Sequence, residues 1–480
     1  MQESYRHILK YIGVFGGVQG LTLLLGLVRN KVIAVLLGPA GVGLLSLCNS
    51  LVRLLSDVGG MGVAVSGTRF VAERQTKREQ GEAVAVIRQW ALLAALSSLV
   101  LTCVLSYPLS LWVFGDGWHV LSVLLLAPAV FMTILAGGEL CVLKGLGYLR
   151  WLALSSVYSV VGVLLLTVPL YVVFGIEAIE PSIMVASLWN LCAVVFYSHK
   201  AAPWGGYGQW RIFRKYTSVL RLGGAFVVAA LFGSLTDMLF RSFLNVTDGP
   251  GVVGIYNAGY MLCMTLAGAF YSSMETDYYP RLTRVNRVGV EFNGVVNRQI
   301  TLTLLVVTPV LWAFIVGAPL LIPLLYSGKF VEAISFVRWG MVAMSLRGVT
   351  LALEYIALSL GKSKSYLLIE GVSYSVLLLS MIIGYELYGI EGVGMGMLVS
   401  GGLELLFVVL YVGKKFQYIP AMDASLIFVF QFIIGLSVAC VSLLVGGKGY
   451  WLLGGGLCVM SVLVSVVAFA TLVSHKKDSA

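Results

Sequence analysis

Fourteen long apolar runs divide this chain, and each is long enough to cross a lipid bilayer as a helix. We place the runs at residues 8–33, 42–66, 84–106, 119–142, 151–174, 180–198, 218–243, 252–278, 297–318, 331–357, 366–388, 391–412, 424–446 and 450–473. They occupy most of the 480 residues, so little chain remains for a domain outside the membrane. Charged residues make up 11% of the sequence, against roughly 25% in soluble domains. The runs therefore predict an all-α polytopic membrane protein and exclude a water-soluble fold.

Positive charge is distributed unevenly between the segments that join the runs. With the N-terminus in the cytoplasm, most Lys and Arg side chains fall in inner segments, whereas the outer segments clearly hold only Lys329 and Lys448. Cytoplasmic loops of membrane proteins carry such an excess. We therefore place both termini, and the segments at 69–82, 199–216 and 281–297, in the cytoplasm. The net charge of +10 then needs no nucleic-acid partner to explain it.

Cysteine and histidine lie where they predict no metal site. The seven cysteines all fall in apolar runs, no CxxC pair occurs, and the four histidines are scattered over the N-terminus and loops. The sequence also contains no Walker, DxD, HExxH or GxSxG motif. We therefore expect no metal or cofactor, and a transporter rather than an enzyme.

A short motif occurs twice. GPAGVGLL, beginning at Gly38, follows the first run, and GPGVVGIY, beginning at Gly249, follows the seventh run 211 residues later. Two unrelated loops would also give this match, but the same membrane side and preceding basic residues favour a duplication. An even number of spans separates the copies, which predicts parallel repeats, a common construction of transporters. We therefore predict six-helix bundles at 1–210 and 211–416, followed by two extra helices at 417–480.

Charged residues interrupt several runs, where a charge costs about 2.5–3.5 kcal/mol unless it faces water or a partner. Arg53 and Asp57 lie four residues apart on one helix face, so they either neutralise each other or take part in binding. Asp237 and Arg241 repeat this spacing nearer the outer end of their run. That position favours a surface pair whose side chains reach the membrane interface.

The tenth and twelfth runs carry further charges. Arg347 and Glu354 are seven residues apart and lie on one stripe of the tenth run, which also contains Arg338. Glu404 lies in the middle of the twelfth run, where it would bind a proton or cation or meet an arginine. We expect interfacial, solvated side chains for four acids near cytoplasmic ends, namely Glu139, Glu275, Asp277 and Glu370.

These charges together predict a cationic cavity for an anionic substrate. Arginine suits phosphate because its planar fork donates paired hydrogen bonds and stays charged. The side chains that we expect to bind substrate in the cavity are Arg29, Lys31, Arg53, Arg241, Arg338 and Arg347. For ion coupling we expect Glu404 first and Asp57 second, because a carboxyl group at this depth can change between its charged and neutral forms.

Three stretches carry a family resemblance. They are KVIAVLLGPAGVGL at 31–44, Leu143-Lys144-Gly145 with the following Leu154-Ser155, and LLYSGKF at 324–330. With these stretches the chain resembles the Wzx-type polysaccharide-unit flippases, including O-antigen and lipid III flippases, of the multidrug/oligosaccharidyl-lipid/polysaccharide exporter superfamily. The resemblance implies two six-helix bundles with alternating access. It also implies that a basic side chain is needed at the position of Lys31. Some members have twelve spans, so the last two helices have no implied role.

The resemblance also implies a substrate and a location. The substrate would be an undecaprenyl-diphosphate-linked oligosaccharide, carried from the cytoplasmic to the periplasmic leaflet of the bacterial inner membrane. A polymerase and a chain-length regulator of the same pathway would be further partners. Three alternatives stay open: a flippase for the peptidoglycan lipid precursor, a multidrug antiporter of the same superfamily and a membrane polysaccharide polymerase. Short outer loops disfavour the polymerase, and the basic cavity disfavours cationic drugs.

Overall fold

Long α-helices make up nearly all of the chain that the computed structural model describes, namely residues 2–203, 218–273, 277–285 and 287–478. No β-strand occurs in these residues. Eleven of their helical segments are long and apolar enough to cross a membrane, and three of the eleven contain a break and so provide two crossings each. The described residues thus provide fourteen membrane crossings, the predicted number, and the predicted all-α polytopic membrane fold is confirmed.

We number the membrane helices α1–α14 in chain order. They are 2–37 (α1), 39–59 (α2), Lys77–Val104 (α3), Val120–Gly145 (α4), Leu149–Phe174 (α5), Ile179–Ala201 (α6), Ser218–Asp248 (α7), Pro250–Ser273 (α8), Val290–Leu325 (α9), Ala333–Ser359 (α10), 363–387 (α11), 390–416 (α12), Met422–Leu444 (α13) and Gly447–Asp478 (α14). Shorter helices lie between them at Val63–Ala72, Ser106–Phe114, Gly175–Ala178, Tyr279–Val285 and Gly328–Phe330.

The two copies of the glycine-proline motif adopt the same local structure. Gly38 and Gly249 both have a positive φ, 66° and 83°, which side chains with a Cβ rarely tolerate. Each is followed by a proline, Pro39 or Pro250, at the start of a membrane helix. Proline is favoured there because the first N–H groups of a helix have no partner within it. The motif therefore makes a tight turn into α2 and the equivalent turn into α8.

The α2 and α8 helices also cross at this motif in a reciprocal way. A Cβ atom on Gly43 would overlap the carbonyl oxygen of Pro250, and one on Gly254 would overlap that of Pro39. Adding the repeat offset of 211 to one contact gives the other, with the partners exchanged. A two-fold axis produces exchanged contacts of this kind. The contact supports the predicted duplication, while the division at 1–210, 211–416 and 417–480 stays a prediction because its first boundary lies outside the described residues.

The chain forms two compact units. The first comprises Met1–Gly254 with Leu325–Ser327, and the second comprises Ile255–Leu324 with Gly328–Ala480. In the first unit, one hydrophobic cluster joins the short helix Val63–Ala72 to α3 and α4. In the second unit, a larger cluster joins α9, α10 and α12. Each unit thus has its own apolar core, and each is described below by itself.

Candidate functional site

Arg53 presents an exposed guanidinium in the second half of α2. Its side chain is 68% exposed, and Nε lies 3.9 Å from Asp57 Oδ2, one helical turn further on. Asp57 also interacts with Ser234 of α7. The first unit therefore brings these two predicted residues together, but their ion pair is long and the guanidinium stays accessible to a ligand.

Arg241, Asp237 and Ser50 form a buried polar cluster between α7 and α2 of the first unit. Arg241 Nη2 lies 3.0 Å from Asp237 Oδ1, and Arg241 Nη1 donates to Ser50 Oγ at 2.9 Å. Ser50 in turn donates to Asp237 Oδ2 at 2.9 Å. The expectation of a surface pair here is wrong, because Arg241 is only 3% exposed. Arg241, which the sequence analysis assigns to the substrate cavity, therefore joins α7 to α2 in this conformation.

Arg29 and Lys31 lie half-buried on α1 of the same unit. The guanidinium of Arg29 interacts with Tyr171 of α5, while its Nε atom is buried and has no hydrogen-bond partner among the described residues. Four of the six basic residues expected at the cavity therefore belong to the first unit. Of these four, Arg53 has the most exposed side chain.

The second unit contains a buried cluster in which one arginine meets several carboxylates. Arg347 Nη1 donates to Glu354 Oε1 at 2.7 Å and also to Glu404 Oε1. Glu370 of α11 adds a third carboxylate within electrostatic range. The side chains of Glu354 and Glu404 are 1% and 9% exposed, and Glu370 is also buried. We call these four residues the carboxylate cluster.

The carboxylate cluster has one formal positive charge and three formal negative charges. Tyr374 and Tyr366 of α11 and Tyr271 of α8 also face these groups. A fully ionised cluster would bury excess negative charge, which is costly away from water. One or more protons at the carboxylates would remove this cost. Among the residues that the structure describes, no group of three or more His, Cys, Asp or Glu side chains has a metal-binding arrangement.

Arg338 lies away from the carboxylate cluster, nine residues earlier on α10. Its Nε donates to Ser442 Oγ at 2.8 Å, its Nη2 donates to the Ser442 carbonyl at 3.0 Å, and its Nη1 donates to Glu391 at 3.4 Å. Trp339 Nε1 donates to the same Glu391 oxygen at 3.0 Å. Arg338 therefore ties α10 to α12 and α13.

The structure also corrects the expectation for the acids near cytoplasmic ends. Glu139 is buried and accepts two hydrogen bonds from Arg88, at 2.8 and 3.0 Å. Glu370 is buried in the carboxylate cluster. Asp277 is solvated as expected, with a 72% exposed side chain paired to Arg281. Glu275 lies outside the described residues.

Sequence spacing could not reveal the partners of these acids. Arg88 and Glu139 are 51 residues apart, and Arg347 and Glu404 are 57 apart. Local rules find only pairs within one helix, such as Arg53 with Asp57. The sequence shows an acid without a local partner in one apolar run and an arginine without one in another. Each such charge requires a partner, but the sequence does not identify it.

Comparisons with known proteins agree with this architecture. The model of the polysaccharide biosynthesis protein family matches residues 8–286, more than half of the chain. No curated protein sequence matches significantly. Among solved structures, lipid II flippase MurJ in an inward closed conformation is 13% identical with a TM-score of 0.71, covering 97% of this chain and 99% of MurJ. An inward-facing multidrug transporter of the MATE family is 16% identical with a TM-score of 0.67, covering 82% and 94%. The Vibrio cholerae MATE transporter VcmN is 16% identical with a TM-score of 0.59, covering 87% and 99%. Identities this low establish a shared fold and nothing further.

Proposed function

Because the chain belongs to the polysaccharide biosynthesis protein family, we propose that it is a flippase for an undecaprenyl-diphosphate-linked oligosaccharide. It would carry the lipid-linked repeat unit from the cytoplasmic to the outer leaflet of a bacterial inner membrane, with both termini in the cytoplasm. The product would then be available to a polymerase and a chain-length regulator. O-antigen and enterobacterial common antigen units are substrates of this chemical class.

The exposed guanidinium of Arg53 is the observation that carries this proposal. Arg53 lies inside a membrane-spanning helix, yet its side chain is 68% exposed and its nearest acid is 3.9 Å away. An arginine at this depth is strongly disfavoured against lipid and is normally found facing water or a polar ligand. Its planar, always-charged fork matches a diphosphate. We propose that Arg53 contacts the diphosphate, with Arg29 and Lys31 of α1 adding positive charge.

Arg347 has a second role in this proposal. In the described conformation it is paired with Glu354 and Glu404, so it would bind a substrate phosphate only if these carboxylates were neutral. Protonation of the carboxylate cluster would therefore release Arg347 for an anion, and substrate release would favour the ion pairs again. This exchange would couple transport to a proton gradient. Glu404 remains the first coupling residue, Glu354 joins it and Asp57 is a further candidate.

Transport is tested in proteoliposomes that contain the purified protein and a fluorescent undecaprenyl-diphosphate oligosaccharide. We expect Arg53→Ala to reduce flipping about tenfold or more, as expected for loss of a charge-assisted contact. Arg69→Ala is the matched control, because Arg69 is equally exposed and also pairs with an acid four residues later. Flipping at the wild-type rate in correctly folded Arg53→Ala protein would contradict the assignment.

Substrate class is decided in the same assay. Parallel vesicles contain the peptidoglycan lipid precursor, and others are loaded with a cationic dye. The proposal requires flipping of the oligosaccharide lipid in preference to both. Equal or faster transport of the peptidoglycan precursor, or efflux of the dye, would favour the corresponding alternative.

Coupling is tested by imposing a pH difference across the vesicles. Wild-type flipping should depend on this difference, while Glu404→Gln and Glu354→Gln should flip at a rate that no longer depends on it. Glu386→Gln is the control, since Glu386 is exposed on α11 of the same unit. Gradient-independent flipping by the wild type would reject coupling altogether, and unchanged dependence in both Gln variants would reject the carboxylate cluster.

A further inference from the structure

A groove in the first unit lies outside the residues assigned to transport. Its volume is about 660 Å³, and it is bordered by α3, α4, α6 and the segment after α4. This size is within the range of about 300–1,000 Å³ that small-molecule sites occupy. None of the basic residues expected to bind substrate lines it.

The groove runs lengthwise along α3. The lining residues of this helix follow a helical stripe, at Lys77, Gln80, Gly81, Val84, Ala85, Arg88, Gln89, Ala91 and Leu92. From Lys77 to Leu92 the helix rises about 22 Å, at about 1.5 Å per residue. One leaflet with its headgroups is about half of a bilayer of about 40–45 Å. The groove is therefore long enough to hold a lipid chain aligned with the membrane normal.

Polarity changes along the groove. Lys77 and Tyr148 are exposed at one end, whereas Leu92, Leu135 and Leu191 line the rest of it. Lys77 is the first residue of α3, so its ammonium group lies at the membrane-surface end of the groove. The groove thus combines a cationic end with a long apolar channel.

Arg88 and Glu139 form an ion pair inside the groove. The pair carries no net charge, and hydrogen bonds hold it in place. Arg88 donates to Glu139 through Nε and Nη2, and Nη2 also donates to the Ala202 carbonyl at 3.0 Å. Ser198 Oγ donates to Glu139 as well. These bonds join α3 to α4 and α6, so they hold the walls in place. Of the nearby acids on α3, Glu79 closes the capping box at the start of the helix with Thr76, and Glu82 pairs with Arg78.

We propose that this groove binds one anionic phospholipid from the leaflet that surrounds the Lys77 end of α3. One acyl chain lies along the stripe, and the phosphate lies at the ammonium group of Lys77. A phospholipid is favoured over the transported lipid because a groove of about one leaflet in length, open at a membrane-spanning helix, matches the chains that surround it continuously. The proposal is independent of the flippase function.

The test uses the purified full-length protein and a phosphatidylglycerol that carries a photoactivatable group in one acyl chain. After illumination, cross-linked peptides should map to 77–92, 135–139 and 191–195. Ala85→Phe fills the channel from a half-buried lining position and should abolish these cross-links. Leu92→Trp narrows the apolar end of the groove from an exposed position. This variant replaces Ala85→Phe in the test if Ala85→Phe does not fold. Ala470→Phe, at an exposed position on α14, should change nothing.

Head-group selectivity is the second readout. Lys77→Gln should reduce the preference for phosphatidylglycerol over phosphatidylcholine about fivefold, the effect of one basic side chain at an anionic surface. Lys364→Gln, an exposed lysine in the second unit, should leave the preference unchanged. A polyprenyl diphosphate at equal concentration should not displace the phospholipid. Cross-links that persist in folded Ala85→Phe or Leu92→Trp protein, or displacement by the polyprenyl diphosphate, would overturn the proposal.

Discussion

The buried Arg241–Asp237 pair gives a sharp prediction about stability. Both residues lie on α7, and their side chains are 4% and 13% exposed. Removing one partner of a buried ion pair costs about 3–5 kcal/mol, because the remaining charge stays buried without compensation. We therefore expect Arg241→Met and Asp237→Asn each to lower the apparent melting temperature of the detergent-solubilised protein strongly.

The double variant decides whether this reasoning is right. Arg241→Met with Asp237→Asn removes both charges together, and the amide oxygen that replaces the carboxylate can still accept the hydrogen bond from Ser50. We expect the double variant to be more stable than either single variant, since no unpaired charge remains. The assay heats each variant and measures the remaining folded fraction by fluorescence-detection size-exclusion chromatography, at matched detergent and lipid concentrations.

An exposed pair with the same spacing serves as the control. Arg69 and Glu73 are also four residues apart, and their N–O distance is shorter, 2.7 Å against 3.0 Å. Both side chains are largely exposed, so losing the pair should cost only about 0–1 kcal/mol. If Arg69→Ala and Arg241→Met lowered the melting temperature equally, or if the double variant were the least stable, burial would not be the deciding quantity.

Three further outcomes are expected. Gly43→Ala should reduce the yield of folded protein because its Cβ would overlap the Pro250 carbonyl, whereas Gly251→Ala should be tolerated because its Cβ meets nothing within 4 Å; size-exclusion yield measures both. Asn297→Ala should lower the melting temperature, since it removes hydrogen bonds from α9 to the α12–α13 connection and unsatisfied buried groups cost about 1–3 kcal/mol each. A single cysteine introduced at 199–216 should resist externally added impermeant thiol reagent in intact cells, while one at Lys448 should react; the opposite pattern would reverse the membrane orientation.

The fold was largely predictable from the sequence because hydrocarbon imposes one solution on every long apolar run. In the part of the chain that the structure describes, the membrane helices agree with the prediction in number and order. The second run is an instructive exception, since α2 ends at Gly59 and the short helix Val63–Ala72 follows. Hydropathy does not detect this turn, which depends on positive φ angles at Met61 and Gly62.

Short stretches also indicated the family, and the match to residues 8–286 confirms that the chain belongs to the polysaccharide biosynthesis protein family. The partners of the intramembrane charges were predictable only in part. Arg53 and Asp57 lie four residues apart, so spacing predicts their pair. For Arg347 and Glu354, which lie seven apart, spacing predicts a shared helix face but not their contact. Arg347 with Glu404, and Arg88 with Glu139, depend on how helices pack, which a single sequence does not specify.

The duplicated motif separates what the two copies share from what they do not. Gly43 and Gly254 exchange equivalent contacts, so the close packing of α2 against α8 obeys the offset of 211 residues. The charges do not obey it. On the same two continuous helices, Met264 occupies the position equivalent to Arg53, and Gly268 the position equivalent to Asp57. Packing therefore requires both copies of the motif, whereas the exposed guanidinium occurs in one copy only. The diphosphate contact that we propose for Arg53 therefore has no equivalent in the second copy.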